Sequence, residues 1–358
     1  MRWRIVLGSV VAALGLLVGV MAVPPATGAA SSAGSQAAFS APHIVKKVIL
    51  AETSIDGPSV WNPSFVSGVP GDGTGIIIAW TGADRAHRLN SIQTHNGDRF
   101  SFKRIYNETS PFRPAVTSTG ENSVILAWTG TDANHSLNVL ATGVFSTSLK
   151  LTLWNESSFT APAIAAVGGK LYLAWAGTNA NHSLNVLPIA VSASGLKPGA
   201  KTILRQFSSN TSPSLVPNVV APSTVSGLLL SWAGTSPANR LRFAISTDSI
   251  HWTQPSSSPL AEWSGSSPSL LALGISAFPH DFLAWTGTDA NHSVNIRYTE
   301  SFPAWPLDNA KMTFHEQALG SPAIANASSI SDESVRQIVL AWTGTDSLHH
   351  VNIAFVGV

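Results

Sequence analysis

Cysteine is missing from all 358 residues. That excludes disulfides, thiolate nucleophiles and thiolate-ligated metals, and it leaves stability to core burial alone. Charge is scarce as well: 11% of residues are charged and the net charge is +1, against about 25% charged in an average domain. Without a basic patch or stripe there is no electrostatic footprint for nucleic acid or anionic lipid. The chain also lacks a G-x-S-x-G elbow, a phosphate loop and a dinucleotide fingerprint, and no cofactor is expected. His315-Glu316-Gln317-Ala318-Leu319 opens like the helix of a zinc protease but has Leu where the second His must stand.

Long apolar runs are absent beyond Ile5–Val23. That run follows Met1-Arg2-Trp3-Arg4 and breaks at Pro24-Pro25 before the small residues Ala26-Thr27-Gly28-Ala29-Ala30. A basic head, an apolar middle and a small-residue exit make residues 1–30 a signal peptide; an uncleaved anchor is the alternative for a run of this length. Residues 31–42 are small and polar without periodicity, a flexible lead-in. The expectation is a secreted protein, free of the membrane after cleavage, with residues 43–358 as one domain.

What the chain does have is one stretch six times over. Ala284–Ile296 reads A-W-T-G-T-D-A-N-H-S-V-N-I, and its counterparts begin at Trp80, Trp128, Trp175, Trp232 and Trp342. Successive tryptophans stand 48, 47, 57, 53 and 57 residues apart, the length of a four-stranded propeller blade. Each repeat carries four strand-like segments. The first opens on a proline, at Pro63, Pro114, Pro162, Pro213, Pro268 and Pro322, which a strand tolerates at its start. The second is nearly all apolar, as in G-I-I-I-A-W at Gly75–Trp80, so both faces should be covered. The third alternates, as in Ser136-Leu137-Asn138-Val139, and the Gly, Asp and Asn between second and third form their hairpin loop. The fourth ends on an acid: Glu108-Thr109-Ser110, Glu156-Ser157-Ser158, Glu262-Trp263-Ser264 and Glu316-Gln317.

The sixth repeat stops on its third strand, while Val45–Ser54 (V-K-K-V-I-L-A-E-T-S) matches the fourth strand Phe102–Ser110 (F-K-R-I-Y-N-E-T-S). The expected fold is therefore all-β: a six-bladed β-propeller of four-stranded blades, closed by an N-terminal strand that completes the last blade and removes two open sheet edges. Packing accounts for much of the repeat. The Trp fills the wedge between blades, the Gly takes a positive φ, and Asp and His tie the hairpin.

Between third and fourth strands lie Ser246-Thr247-Asp248-Ser249-Ile250-His251-Trp252, the looser Thr94-His95-Asn96-Gly97-Asp98-Arg99-Phe100, and a remnant at Ser192-Ala193-Ser194-Gly195. These turns resemble the Asp-box, or BNR repeat, S-x-D-G-x-x-W, of the sialidase-like six-bladed propellers. The resemblance implies the six-bladed propeller fold more than an activity, since this turn recurs in lectins, hydrolases and other secreted propellers. In the catalytic members it implies three arginines that grip the substrate carboxylate with their planar forks, a Tyr nucleophile activated by Glu, and an Asp acid/base. The candidates here are Arg113 in Phe112-Arg113-Pro114, Arg242, Arg297 and Tyr298, with Arg240 and Arg88 behind them. Ser321–Ser328, the strand on which that family carries its Tyr, has none. The expectation leans away from an enzyme, with an exo-glycosidase of sialidase type as the alternative.

Loops after the second strand and links from the fourth strand to the next blade open on one face. That face gathers Asp84, His87, Asp132, His135, Asn179, His182, Asp289, His292, Asp346 and His349, together with Glu52, Glu108, Glu156, Glu262 and Glu316. Planar acceptors repeated in this way suit shallow sugar sites. The first expectation is a non-catalytic glycan-binding or surface-interaction module whose partners are glycans or cell-surface polysaccharide. No metal is expected, since two ligands per loop fall short of the usual three or four. Blade four departs from the pattern, with Ser236 for Asp, Asn239 for His and Arg242 for Asn, and is either a decayed site or one with a special role.

Overall fold

Each apolar second strand must be covered on both faces, and that requirement stacks the sheets. The structure, a computed structural model, describes residues 41–62, 75–94, 97–119, 123–144, 147–221, 224–235, 239–255, 258–273, 280–298, 311–327 and 337–358, and within them every regular element is a β-strand. The leader, Pro63–Phe65, His95, Asn96, Ser236 and Ser328 lie outside the described residues.

The strands form the six blades of a β-propeller. Blade one is Ser59–Trp61, Ile76–Thr81, Arg88–Thr94 and Phe100–Thr109; blade two is Ala115–Thr117, Val124–Thr129, Ser136–Val144 and Thr147–Ser157. Blade three is Ala163–Val167, Lys170–Ala176 and Ser183–Ser192, its outer edge split into Gly195–Pro198 and Thr202–Ser208. Blade four has Ser214–Ala221, Thr224–Ala233 and Leu241–Ser246, and blade five has Ser269–Leu273, His280–Thr286 and Ser293–Tyr298. One strand, Met312–Asn326, serves twice: its first half is the outer edge of blade five and its second half the inner strand of blade six. Gln337–Gly344 and His350–Gly357 follow.

The N-terminal strand His43–Thr53 completes blade six, antiparallel to the last strand, with Val48 opposite Ile353 and Lys47 opposite Ala354. The innermost strand of each blade touches the innermost strand of the next all the way round. Hydrogen bonds pin this inner ring: Ser59 Oγ donates to Pro114 O (2.5 Å), Leu270 N to Ser214 Oγ (3.0 Å) and Asn62 Nδ2 to Asn326 O (2.8 Å).

Three expectations need correction. Blade one begins at Ser59, after Pro58 and not after Pro63; Pro58 stands six residues past Glu52, as Pro114 stands six past Glu108. Among the described residues blade four has no continuous fourth strand: Thr253 and Trp263 make isolated bridges, to Ile245 and Arg240, and Pro255 and Pro259 between them have no N–H to give the ladder. The loop glycines Gly82, Gly130, Gly177, Gly234, Gly287 and Gly344 are not at positive φ. They are needed for space: a Cβ on Gly344 would stand 2.7 Å from both Asp346 Oδ2 and Asn352 Nδ2.

The indoles of Trp80, Trp128, Trp175, Trp232, Trp285 and Trp342 are each 1% exposed and face the preceding blade. Trp128 packs with Ile77, Ala79 and Leu89 of blade one, and Trp175 with Ile125, Val139 and Leu153 of blade two. Around five of the six indoles runs a repeated polar seam. Lysines of one blade's outer edge pair with glutamates of the preceding blade: Lys103 with Glu52 (2.5 Å), Lys150 with Glu108 (2.6 Å), Lys201 with Glu156 (2.7 Å), Lys311 with Glu262 (3.4 Å) and Lys47 with Glu316 (2.5 Å). Lys150, Lys201 and Lys47 also lie over Trp128, Trp175 and Trp342 at 5.6, 6.0 and 5.4 Å. The serines two residues after four of those acids, Ser54, Ser110, Ser158 and Ser264, are wholly buried. Ser158 Oγ binds Ala176 O (2.9 Å) and Ser264 Oγ binds Thr286 O (2.9 Å) on the next blade's second strand; after Glu316 the position holds Ala318.

A buried carboxyl breaks the apolar rule in blade five. Asp281 is 5% exposed, on the strand face of Leu283 and Trp285, and burial pushes its pKa up to about 7.

Two expected outcomes follow from this packing. Trp128→Ala or Trp285→Ala lowers stability by about 3–5 kcal/mol, read from the urea midpoint at constant m; a change under about 1 kcal/mol would contradict the wedge role. For Asp281 the folded pKa lies above the unfolded value of about 3.9, so the folded state binds more protons between the two. Its contribution is present below about pH 4 and is lost as pH rises through about 7. Asp281→Asn should therefore remove this slope and be more stable than the parent at pH 8 by a few kcal/mol, at about 1.4 kcal/mol per pKa unit, as measured by denaturation at pH 4 and pH 8.

Candidate functional site

The loop face is built from the hairpins between second and third strands, and the ten residues expected to bind ligand all lie on it. Their geometry is that of a turn device. In each loop the His stands in the left-handed region, with φ 51° at His87, 50° at His135, 46° at His182, 50° at His292 and 56° at His349. The His N–H donates to the carbonyl of the Asp or Asn three residues earlier, as His135 does to Asp132 (2.9 Å) and His182 to Asn179 (2.8 Å). Its own carbonyl then accepts from the end of the blade's outer edge, as His87 O does from Ser110 N (3.1 Å) and His349 O from Ser54 N (3.0 Å).

The loop acids turn inward onto the same hairpins. Asp84 accepts from Ala86 N (2.8 Å), Asp132 from Ser136 Oγ (2.8 Å), Asp289 from Ser293 Oγ (2.9 Å) and Asp346 from His350 Nδ1 (2.8 Å). Asn179 does the same through Oδ1, accepting from Ser183 N (3.0 Å). Desolvation pushes Asp132, Asp289 and Asp346 up, but side-chain and backbone donors of the turns together hold all three below the ordinary carboxylate value. The glutamates are likewise committed, to the seam lysines. Asn239 takes the left-handed region in blade four with φ 43°, which Asn tolerates, so this position keeps its backbone conformation although the His is gone.

Each residue weighed for catalysis has neighbours of its own. Arg113 is 7% exposed at the link into blade two; burial lowers its pKa, against the opposing charge of Asp56, whose Oδ2 accepts from Arg113 N (3.3 Å). Arg242 lies over Gly234 in the place of the repeat Asn. Arg297 faces Glu262 at 3.7 Å across the seam of blades four and five, and Tyr298 stacks on Phe282 with centroids 5.8 Å apart. Arg113, Arg242 and Arg297 stand in three different blades, each with its own neighbours. The turn at Ser246–Trp252 does have a tight carboxylate anchor. Asp248 Oδ1 accepts from Ile250 N (2.8 Å) and His251 N (2.7 Å), its Oδ2 meets His251 Nδ1 (2.6 Å), and Ser249 takes φ 63° where the box motif has Gly. His251 and those backbone donors hold Asp248 well below the ordinary carboxylate value.

One seam is built differently. Between blades three and four the acid position holds Phe207, packed on Trp232 with ring centroids 4.7 Å apart, and no lysine–glutamate pair spans the seam among the described residues. A polar cleft of about 320 Å³ opens there, lined by Ala180, Asn181, His182, Arg205, Ser208, Asn210 and Thr235. Ser208 Oγ and Thr235 Oγ1 meet at 2.8 Å across its floor. Arg205, His182 and Asn210 have no side-chain hydrogen bond or ion pair among the described residues. Sequence reasoning found His182 but missed Arg205 and Asn210. The signal was available: Phe207-Ser208-Ser209 is the outer-edge ending that has no acid.

No protein-family model matches the chain, and no curated protein matches it in sequence. Solved structures do resemble it. A protein of unknown function from Dyadobacter fermentans has a TM-score of 0.62 at 11% identity, over 88% of this chain and 99% of that one. The fucose-recognising six-bladed β-propeller lectin of Aleuria aurantia has a TM-score of 0.55 at 13% identity, over 84% and 91%. A Hadza microbial sialidase, Hz136, has a TM-score of 0.52 at 11% identity, over 85% of this chain and 66% of that one. At such identities the likeness is one of fold: this chain is an all-β six-bladed propeller of the architecture shared by these lectins and sialidases.

Proposed function

We propose that the chain is a non-catalytic glycan-binding β-propeller, exported by the leader at residues 1–30, that takes its ligand in the cleft between blades three and four. The observation that carries this reading is the cleft itself. At the seam where Phe207 replaces the acid, planar hydrogen-bonding groups with no side-chain partner among the described residues, those of His182, Arg205 and Asn210, line one concavity. Shallow polar clefts of this kind suit sugars, whose hydroxyls need donors and acceptors in place of water. The turns at Ser246–Trp252 and Thr94–Phe100, similar to the Asp-box, and the lectin and sialidase folds among the structural neighbours support a carbohydrate-directed protein. The burial of Arg113 beside Asp56 and the pairing of Arg297 with Glu262 favour binding over sialoside hydrolysis.

The test is a glycan array run with the full chain beside a fluorogenic sialoside assay. Binding without turnover is expected, weakened about tenfold or more by Arg205→Ala or His182→Ala, a loss of at least about 1.4 kcal/mol. Turnover abolished by Arg113→Ala, or binding that ignores both cleft substitutions, would refute the proposal.

A further inference from the structure

Five seams of the ring neutralise an outer-edge lysine with a glutamate of the preceding blade. At the sixth, none of the seven residues lining the cleft is acidic, and Arg205 has no ion-pair partner among the described residues. A second guanidinium stands on the other limb of the hairpin that borders the cleft. Gly234 N donates to Arg240 O (2.9 Å) and so ties the two limbs together, while Thr235 on the near limb lines the cleft. Arg240 lies over the ring of Trp263 at 5.7 Å, and this indole is 39% exposed. The neighbouring acid offers Arg240 little: Glu262 is held by Lys311 (3.4 Å) and Arg297 (3.7 Å).

From this arrangement we infer that the ligand is an acidic polysaccharide, held over more than one sugar unit, with Arg205 taking one acidic group in the cleft and the Arg240–Trp263 platform taking a second unit. The inference rests on the glycan-binding reading and deepens it. Guanidinium forks pair with carboxylate or sulfate oxygens in two parallel hydrogen bonds, and an exposed indole supplies an apolar face with a cation beside it. A neutral sugar would leave both cations uncompensated. A single terminal acidic sugar would fill the cleft and leave Trp263 unused.

The experiment is binding calorimetry on the full chain with polygalacturonate, chondroitin sulfate, uncharged dextran, sialyllactose, and short and long galacturonate oligomers. Binding of at least one polyanion is expected, and which one binds separates carboxylate from sulfate recognition. Affinity should fall as salt rises from about 50 to about 500 mM, as the Debye length shrinks. Arg205→Ala and Arg240→Ala should each weaken it about tenfold, with Arg205→Lys retaining part of the loss, and Trp263→Ala should weaken the long oligomer more than the short one. Dextran binding as tight as polyanion binding, or indifferent to salt, overturns the acidic ligand and leaves the glycan reading standing. Sialyllactose bound alone and unaffected by Trp263→Ala overturns the polymer. No binding to any saccharide, with thermal melting unchanged, overturns both readings.

Discussion

The ring depends on the indole buried in the wedge between each pair of blades. A propeller sheet twists and splays, so the space between neighbours widens outward and has to be filled by something large and rigid. Trp80 and its five counterparts do this at 1% exposure. The rest of the seam is arranged around them: the lysine over the indole, the glutamate that receives the lysine, and the buried serine that follows the glutamate and bonds the next blade. Energetically these parts differ. Burying an indole is worth several kcal/mol, whereas partly exposed ion pairs are worth about 0–1 kcal/mol each. The wedge can therefore lose its lysine and glutamate and still hold, and at the seam of blades three and four it has done so, with Phe207 against Trp232.

That division explains how a chain built on repetition can carry a site. Positions that set the fold are the indole, the glycine beneath the loop acid and the left-handed residue of the hairpin. Positions around them are free to vary once packing is satisfied. Blade four shows this most clearly: Asn239 preserves the backbone turn, Arg242 fills the space over Gly234, and Arg240 and Trp263 appear on the surface at no loss to the core. Asp281 is the opposite case, an acid placed inside the packing, whose burial raises its pKa to about 7.

Much of the architecture was legible in the residues because repetition reveals register. The six tryptophans gave the blade number, and Val45–Ser54 gave the closing strand, since a period-two pattern ending in E-T-S fits one place in a blade. The fourth strand of blade four was not legible, because Glu262-Trp263-Ser264 looks like its counterparts while Pro255 and Pro259 upstream deny the ladder its donors. The site was harder. Asp and His recurring in every loop look like ligands, yet the same pattern is what a tight hairpin needs: an acceptor for the turn's N–H groups and a residue that tolerates positive φ. The cleft lay where the pattern fails, at Phe207, and a failed repeat carries no motif of its own.

The asymmetry of the seams has a consequence for valence. Among the described residues five seams share one chemistry and the sixth does not, so the site proposed at that seam occurs once on a sixfold scaffold. A lectin whose blades all bind gains avidity by engaging several sugars at once. With the ligand in the cleft proposed between blades three and four, the hold on a surface would instead rest on the contacts made along a single stretch of polymer.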